Sequence, residues 1–312
     1  MQIEPIFNFY TKYVNMEFLP IKTLRILGLL LLTLSTNQLN LRAQDSVAPV
    51  KKSYVKNTFE GNYIIDDQSV VLPVQHSLEA DIQHRFGIMN NGIHDFFGLY
   101  NVTNVRLAVS YTFTKDFQLG LGLIGDRMQT DLNAKYALVR QTKDGSMPVS
   151  ITFFGNVVVD PRDSIYDNNA TFRRTSDHFS YFAQLIFARK ISENLSLQVS
   201  PSWSHFNSVV GSDGTIVTGT QYDHFAISFS GRYKITSKTS IIANYDLPIS
   251  TAYGALPNIS AGFEFKTSGH DFQLFVGNYG YILPQNNSFY NQNDFNKSQF
   301  LLGFNITRLW NP

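Results

Sequence analysis

Apolar and polar residues alternate with a period of two over long stretches of this chain. Val105, Leu107, Val109, Tyr111 and Phe113 alternate with Arg106, Ala108, Ser110 and Thr112. Leu195, Leu197, Val199 and Trp203 interleave with Ser196, Gln198, Ser200, Ser202 and Ser204, and Ile259, Ala261, Phe263 and Phe265 with Ser260, Gly262, Glu264 and Lys266. Successive side chains of a strand point to opposite faces, so the pattern predicts strands with one apolar and one polar face. Twelve segments carry it: 78–86, 104–113, 117–126, 131–140, 148–159, 178–189, 195–206, 222–234, 239–247, 258–266, 271–281 and 298–310. Their lengths, mostly about 9–13 residues, exceed the roughly 5–6 of globular strands and match the roughly 9–11 of a tilted membrane-crossing strand. The alternation is broken in 131–140 and 239–247.

The connections carry a second signal. Links after even-numbered segments are short (114–116, 141–147, 190–194, 235–238, 267–270), and those after odd-numbered segments are mostly long (87–103, 160–177, 207–221, 248–257, 282–297). The link after the third segment is the exception. Outer-membrane barrels have short periplasmic turns and long external loops, and an even strand count places both termini on the short-turn side. The expected fold is all-β: an antiparallel up-and-down transmembrane β-barrel of about 12 strands. Only closure satisfies every backbone polar group of a sheet in lipid. Tyr111, Phe113, Phe117, Trp203, Phe206, Tyr222, Tyr233, Phe265, Phe272 and Trp310 then suit the interfacial aromatic girdles. Trp310, near the end of the last strand, suits recognition by the outer-membrane barrel assembly machinery. A soluble β-sandwich or lipocalin-like barrel is the alternative; it would leave many aromatics facing water.

The N-terminus reads as an address. Ile26 to Leu34 is nine apolar or uncharged residues, too short for the roughly 20 of a spanning helix. Lys22 and Arg25 precede it and the small Ala43 follows. This is the layout of a secretory signal peptide cut after Ala43. Residues 1–43 are thus a signal peptide with a possible gene-model extension, Met16 being the expected start. Residues 44–77 form an N-terminal periplasmic or plug segment, and 78–312 the barrel.

Composition fits. Charged residues are 16% and aromatics 14%, against roughly 25% charged in soluble domains, while mean hydropathy is only −0.12. The absence of cysteine excludes disulfide scaffolds, thiolate metal centres and a lipidated N-terminal cysteine. A formal net charge of +1 argues against a nucleic-acid partner.

By parity, Glu79, Asp81, Arg85, Arg106, Lys135, Arg232, Glu264 and Lys266 point into the lumen. Two readings are open: a weakly cation-repelling polar pore, or a salt-bridge network that fills and braces the interior. His84, His94 and Asp95 are weak metal candidates, with no spacing that fixes a ligand geometry. Ser204-His205 and Ser176-Asp177-His178 are the adjacent serine–histidine pairs. Strand neighbours face opposite ways, and no G-x-S-x-G occurs. Neither catalytic residues nor a cofactor is assigned. Ser288 to Asn293 reads as part of a solvated outer loop.

The stretches Thr58-Phe59 through Asp67-Gln68-Ser69-Val70, Ile82 to Gly87, Asn91-Gly92 through Asp95 to Leu99, and Asn104 to Leu107 with Ser110-Tyr111 resemble an uncharacterised outer-membrane β-barrel family of Bacteroidetes, a domain of unknown function. Pro148 to Thr152 fits the same pattern. The resemblance implies an outer-membrane barrel and carries no activity, cofactor or catalytic residue.

The expected function is a passive channel or small-solute transporter in the bacterial outer membrane. The alternatives are a structural or docking protein that holds an unknown partner, and a barrel enzyme acting on lipid or glycan.

Overall fold

The computed structural model describes residues 53–101, 103–162, 174–211, 217, 220–250 and 253–312. The expected signal peptide and residues 44–52 lie outside them.

Twelve long strands follow one another: β3 (Leu78–Ile88), β4 (Asn104–Thr114), β5 (Phe117–Ile124), β6 (Thr130–Val139), β7 (Ser150–Val159), β8 (Phe179–Lys190), β9 (Leu195–Phe206), β10 (Asp223–Lys234), β11 (Thr239–Pro248), β12 (Asn258–Lys266), β13 (His270–Gly277) and β14 (Leu301–Trp310). Before them lies a small hairpin of β1 (Tyr63–Ile64) and β2 (Asp67–Gln68). Each long strand pairs antiparallel with its sequence neighbours, and β14 pairs with β3 from Leu301↔Ile88 to Trp310↔Leu78. The sheet therefore closes and no edge is left for a foreign strand.

The burial period repeats the sequence period. Along β13, Asp271, Gln273 and Phe275 are inward and buried, while Phe272, Leu274 and Val276 face out. The outer surface carries Leu107, Val109, Leu121, Leu123, Leu132 and Phe263, each roughly half exposed, as an apolar band requires. Among the described residues no helix is long and apolar enough to cross a membrane; the crossing is made by strands.

Two expectations change. Phe206 is not a girdle residue: its side chain is inward, 5% exposed, because it shares the parity of the buried Ser204. The chain between β13 and β14 is not solvated throughout: Gln285 to Asn291 are buried, while Gln292 and Asn296 to Ser298 are exposed. After Gly277 it turns inward, held by Asn278, whose Nδ2 donates to the carbonyls of Pro257 and Asn293 (both 2.9 Å) and whose Oδ1 accepts from Ile259 N (2.7 Å). Pro284, needing no donor, then starts a short helix, α1 (Pro284–Tyr290). Every residue of α1 from Gln285 to Tyr290 is buried. Asn and Gln signal solvent only when the surroundings lack polar partners, and a barrel lumen supplies them.

Candidate functional site

The inward faces are cut back by small residues. Over Gly120 and Gly122 on β5 the wall's own Ser110, Asn133, Arg106 and Asp131 take the room, whereas Ser196 and Ser200 on β9 and Ser228 and Ser230 on β10 leave room that wall side chains do not fill. The space is taken by chain from outside the barrel.

Residues 53–77 occupy it from the short-turn end. Tyr54 bridges to Thr142 in the β6–β7 turn, and Lys190 Nζ donates to Lys56 O at 3.2 Å. The segment then runs inward, reverses at Ile65-Asp66, and returns to begin β3. Phe59, Ile64, Ile65 and Val70 are buried against inward Phe154, Phe182, Ile186, Ile242 and Phe275. Ile65 sits at φ 65°, a region that disfavours β-branched residues. The wall holds it there: its N donates to Gln273 Oε1 (3.0 Å) and its O accepts from Asn305 Nδ2 (2.5 Å).

The hairpin tip is an acidic pair gripped by neutral donors. Asp66 accepts from Tyr279 OH (2.6 Å), Asn244 Nδ2 (3.1 Å) and Asn287 Nδ2 (2.8 Å). Asp67 accepts from Gln184 Nε2 (2.8 Å), Gln198 Nε2 (3.1 Å) and Ser230 Oγ (2.6 Å). Asn287 belongs to α1, so the segment entering from one end meets the loop entering from the other at Asp66. Around α1, Gln285 exchanges two hydrogen bonds with Asn156, and Asn286 Nδ2 donates to Gln129 Oε1. Phe289 and Tyr290 close the external end in a cluster with Phe206, Tyr253 and Tyr281.

Two ion-pair clusters brace the wall. Arg106 grips Asp131 with Nε–Oδ1 at 2.7 Å and Nη2–Oδ2 at 2.8 Å, and donates Nη1 to Gln83 Oε1 and Tyr63 OH. This fork passes over β5 at Gly122, where any Cβ would run into both partners. Arg232 pairs with Glu264 (2.7 Å) and with Glu60 of the entering segment (2.9 Å). Lys135 Nζ reaches Asn62 Oδ1 (3.1 Å) and the carbonyls of Asn62 and Val71 (both 3.3 Å). Arg85 donates to Asn305 Oδ1 (2.9 Å) and lies over the Phe275 ring at 4.6 Å. Glu79 accepts from Asn62, and Asp81 from Thr307 Oγ1 (2.7 Å).

Seven of the eight parity-assigned residues, Glu79, Asp81, Arg85, Arg106, Lys135, Arg232 and Glu264, are therefore inward and buried. Lys266 sits at the strand end, partly exposed, and pairs with Glu60. Parity reading missed Asp131, which shares the face of Lys135, as well as Asp246 and Asp271. It also missed Glu60, Asp66 and Asp67, whose segment has no clean period. With these six, acidic side chains outnumber basic ones on the described inner face, which speaks against the cation-repelling one of the two readings.

His84, His94 and Asp95 are not gathered. His84 is on the outer face, stacked on Phe304 at 5.0 Å; His94 is exposed; the Asp95 carboxylate accepts from Asn91, Asn101 and Gly98 N. Those three donors hold the Asp95 carboxyl below the usual carboxylate range. Among the described residues no group of three or more His, Asp or Glu is arranged to hold a metal. Ser204 is inward and His205 outward, where His205 contacts Asp223 (3.0 Å). His224 Nδ1 and Ser250 Oγ lie 3.0 Å apart, but His224 Nε2 has no partner to orient the ring as a base.

Residues 59–310 match the family described as "Membrane bound beta barrel domain (DUF5777)". A comparison with curated proteins finds no match. Among solved structures, the KdgM porin in complex with disordered oligogalacturonate is similar at 11% identity and TM-score 0.46, covering 75% of this chain and 99% of that one. The NanC porin gives 8%, 0.45, 74% and 98%. The COG4313 outer membrane channel from Pseudomonas putida F1 gives 12%, 0.42, 77% and 97%. Likeness at this level carries no functional argument.

Proposed function

The chain belongs to this family of membrane-bound β-barrel domains, and from that premise we propose that it is a bacterial outer-membrane channel for small polar solutes, held closed by its own N-terminal segment and by the loop bearing α1. One observation carries the reading. On β9 and β10 the inner face of the wall is trimmed to serine, and the volume so created is filled by the entering segment, whose Asp67 accepts from Ser230. A barrel meant only as an anchor needs no more than about eight strands, whose interior is filled by side chains without added chain. The tip of the filling, Asp66 and Asp67, is bound through hydrogen bonds from neutral groups, which exchange readily for water or a polar solute.

In the same proposal the precursor comes from a Bacteroidetes-type cell, loses residues 1–43 on export, and is inserted by the barrel assembly machinery reading the strand that ends in Trp310. Lipid is its surrounding partner, and no catalysis or cofactor is assigned.

The test is single-channel recording in planar bilayers on the mature protein and on a variant lacking residues 44–77. Low conductance in the first and a marked gain in the second supports a plugged channel. A deletion variant that keeps heat-modifiable migration, and so is folded, yet never conducts defeats the channel and favours a structural or docking role.

A further inference from the structure

The outer wall between β9 and β13 carries an apolar groove of about 680 Å³. Its bed is a row of outward residues, Leu197, Gly231, Ala243, Ala261 and Val276, each registered with the next across five strands. The three middle members carry a methyl group or less, whereas the outward rows on either side are bulky. Phe229, Tyr245 and Ile259 stand on the external side, and Tyr233, Ile241 and Phe263 on the short-turn side. The row climbs obliquely: Leu197 lies two residues into β9 from the short-turn end, and Val276 six residues into β13. Four strand spacings of about 4.8 Å give a run of about 19 Å. With strands tilted by about 40°, that run rises about 12 Å, close to the roughly 15 Å of hydrocarbon in one leaflet.

The lower end of the groove is marked by charge. Arg189, on the outward parity of β8, is registered with Leu197. It is exposed, and its side chain has no ion pair or hydrogen bond among the described residues. Lys190 shares its turn, and Lys234 and Lys238 lie on the next one, which is stitched to the first by Lys234 N donating to Asn194 O (2.8 Å). The one carboxylate on these two turns is the exposed Glu193. A guanidinium at the edge of a lipid-facing surface reaches the headgroup level, where its planar fork matches a phosphate. The surplus of cations around it favours a head of net negative charge over one that carries its own cation.

We propose that this groove holds one anionic diacyl phospholipid from the leaflet at the short-turn end, with its phosphate on Arg189 and one acyl chain laid along Gly231, Ala243 and Ala261. The groove is continuous with the lipid-facing band, so its occupant comes from the surrounding bilayer. The site does not depend on whether the barrel conducts.

Native mass spectrometry of the mature protein, released from detergent after titration with dioleoyl phosphatidylglycerol, tests it. Dioleoyl phosphatidylcholine is the control with the same tails. One phosphatidylglycerol is expected to be retained, with phosphatidylcholine held at least about fivefold more weakly. Arg189→Gln should lose about fivefold, the worth of one basic side chain at an anionic lipid surface. Ala243→Phe fills the bed of the groove from the lipid side and should abolish retention, whereas Ala134→Phe, outward on β6, should leave it unchanged. Heat-modifiable migration confirms the folding of each variant, and Ala261→Leu fills the same bed should Ala243→Phe fail to fold. Equal retention of the two lipids, or undiminished phosphatidylglycerol retention in Arg189→Gln or in the filled-groove variant, overturns the site. So does a parent that binds no lipid and is a dimer which Ala243→Phe converts to monomer, since the groove is then a contact between copies of this chain.

Discussion

Arg106→Ala is the sharpest probe of how the lumen is held. Arg106 is 4% exposed and Asp131 1%, so the substitution leaves a carboxylate in the interior without its fork partner. Breaking a buried pair by removing one member costs about 3–5 kcal/mol, because the survivor keeps its desolvation penalty. The lost bonds to Gln83 and to Tyr63 OH add to this, although part is recovered if water enters the space. Replacing both members, Arg106→Met with Asp131→Leu, removes the stranded charge and is expected to return within about 1–2 kcal/mol of the parent. The assay is equilibrium urea unfolding in phospholipid vesicles, followed by the fluorescence of Trp203 and Trp310. The difference between single and double variants separates bracing from a general loss of packing. A loss below about 1 kcal/mol in Arg106→Ala, or a double variant as unstable as the single one, refutes the argument. Single-channel recording on the same variants adds a second reading: if the pair only braces, conductance stays at the parental level.

Three further outcomes follow from the geometry. Gly122→Ala drives a methyl into the Arg106–Asp131 fork and should cost about 1–3 kcal/mol as an overpacked site, whereas Gly231→Ala, whose Cβ meets only Leu197 Cδ2 at 3.2 Å as a side-chain neighbour, should change stability by less than about 1 kcal/mol in the same urea titration. Asp66→Asn keeps shape but cannot accept from Tyr279, Asn244 and Asn287 together, so about 1–3 kcal/mol of plug binding is lost; limited proteolysis should then cut within residues 54–77 faster than in the parent, and equal rates would count against the clamp. The Asp95 carboxyl lies below its ordinary value, so its contribution to loop order is complete above the unfolded pKa of about 3.9 and fades as pH falls through the lower folded value. Protection of the Gly98 amide against hydrogen exchange should therefore hold from pH 8 to about 5 and weaken only below about 4; loss of protection between pH 8 and 5 refutes it.

The strands were legible because each must alternate between lipid and lumen, and that constraint writes itself into consecutive residues. All twelve segments overlap the twelve wall strands, including 131–140 and 239–247, where alternation is broken. Inward charge was legible by the same parity, down to Arg106 and Glu264. The filling was not. Residues 57–73 lie in surroundings polar on one side and apolar on the other, with no regular element longer than two residues, so no period could form. Phe154, Phe182, Ile186 and Phe275 blurred the parity of β7, β8 and β13 because they serve as the seat for that filling. The pattern at α1 was misread for a related reason. Seven residues are too few to show a helical period, and PQNNSF has the composition of a turn exposed to water. Gly122 was a clue to the ion pair alone: glycine weakens a strand and is kept where something must pass close to the backbone, here the Arg106–Asp131 fork.

Closure from both ends converges on one residue, and that has an energetic consequence. Asp66 accepts from Asn287 of the external loop while its neighbours Asp67, Ile65 and Tyr63 bind strands from β4 to β14. Withdrawing the N-terminal segment therefore strips α1 of a charge-assisted bond, and lifting α1 strips the segment of the same bond. Coupling of this kind is reciprocal: whatever free energy one element lends the other is returned equally. A charge-assisted bond contributes about 1.5–3 kcal/mol, so removing one closure should make the other open roughly 10- to 150-fold more often. Deuterium uptake at α1 in a variant lacking residues 44–77, and at residues 59–71 in Asn287→Ala, measures the two directions separately. Equal increases are expected. A large increase in one direction with none in the other means that the two closures act independently, and that Asp66 is not their common point.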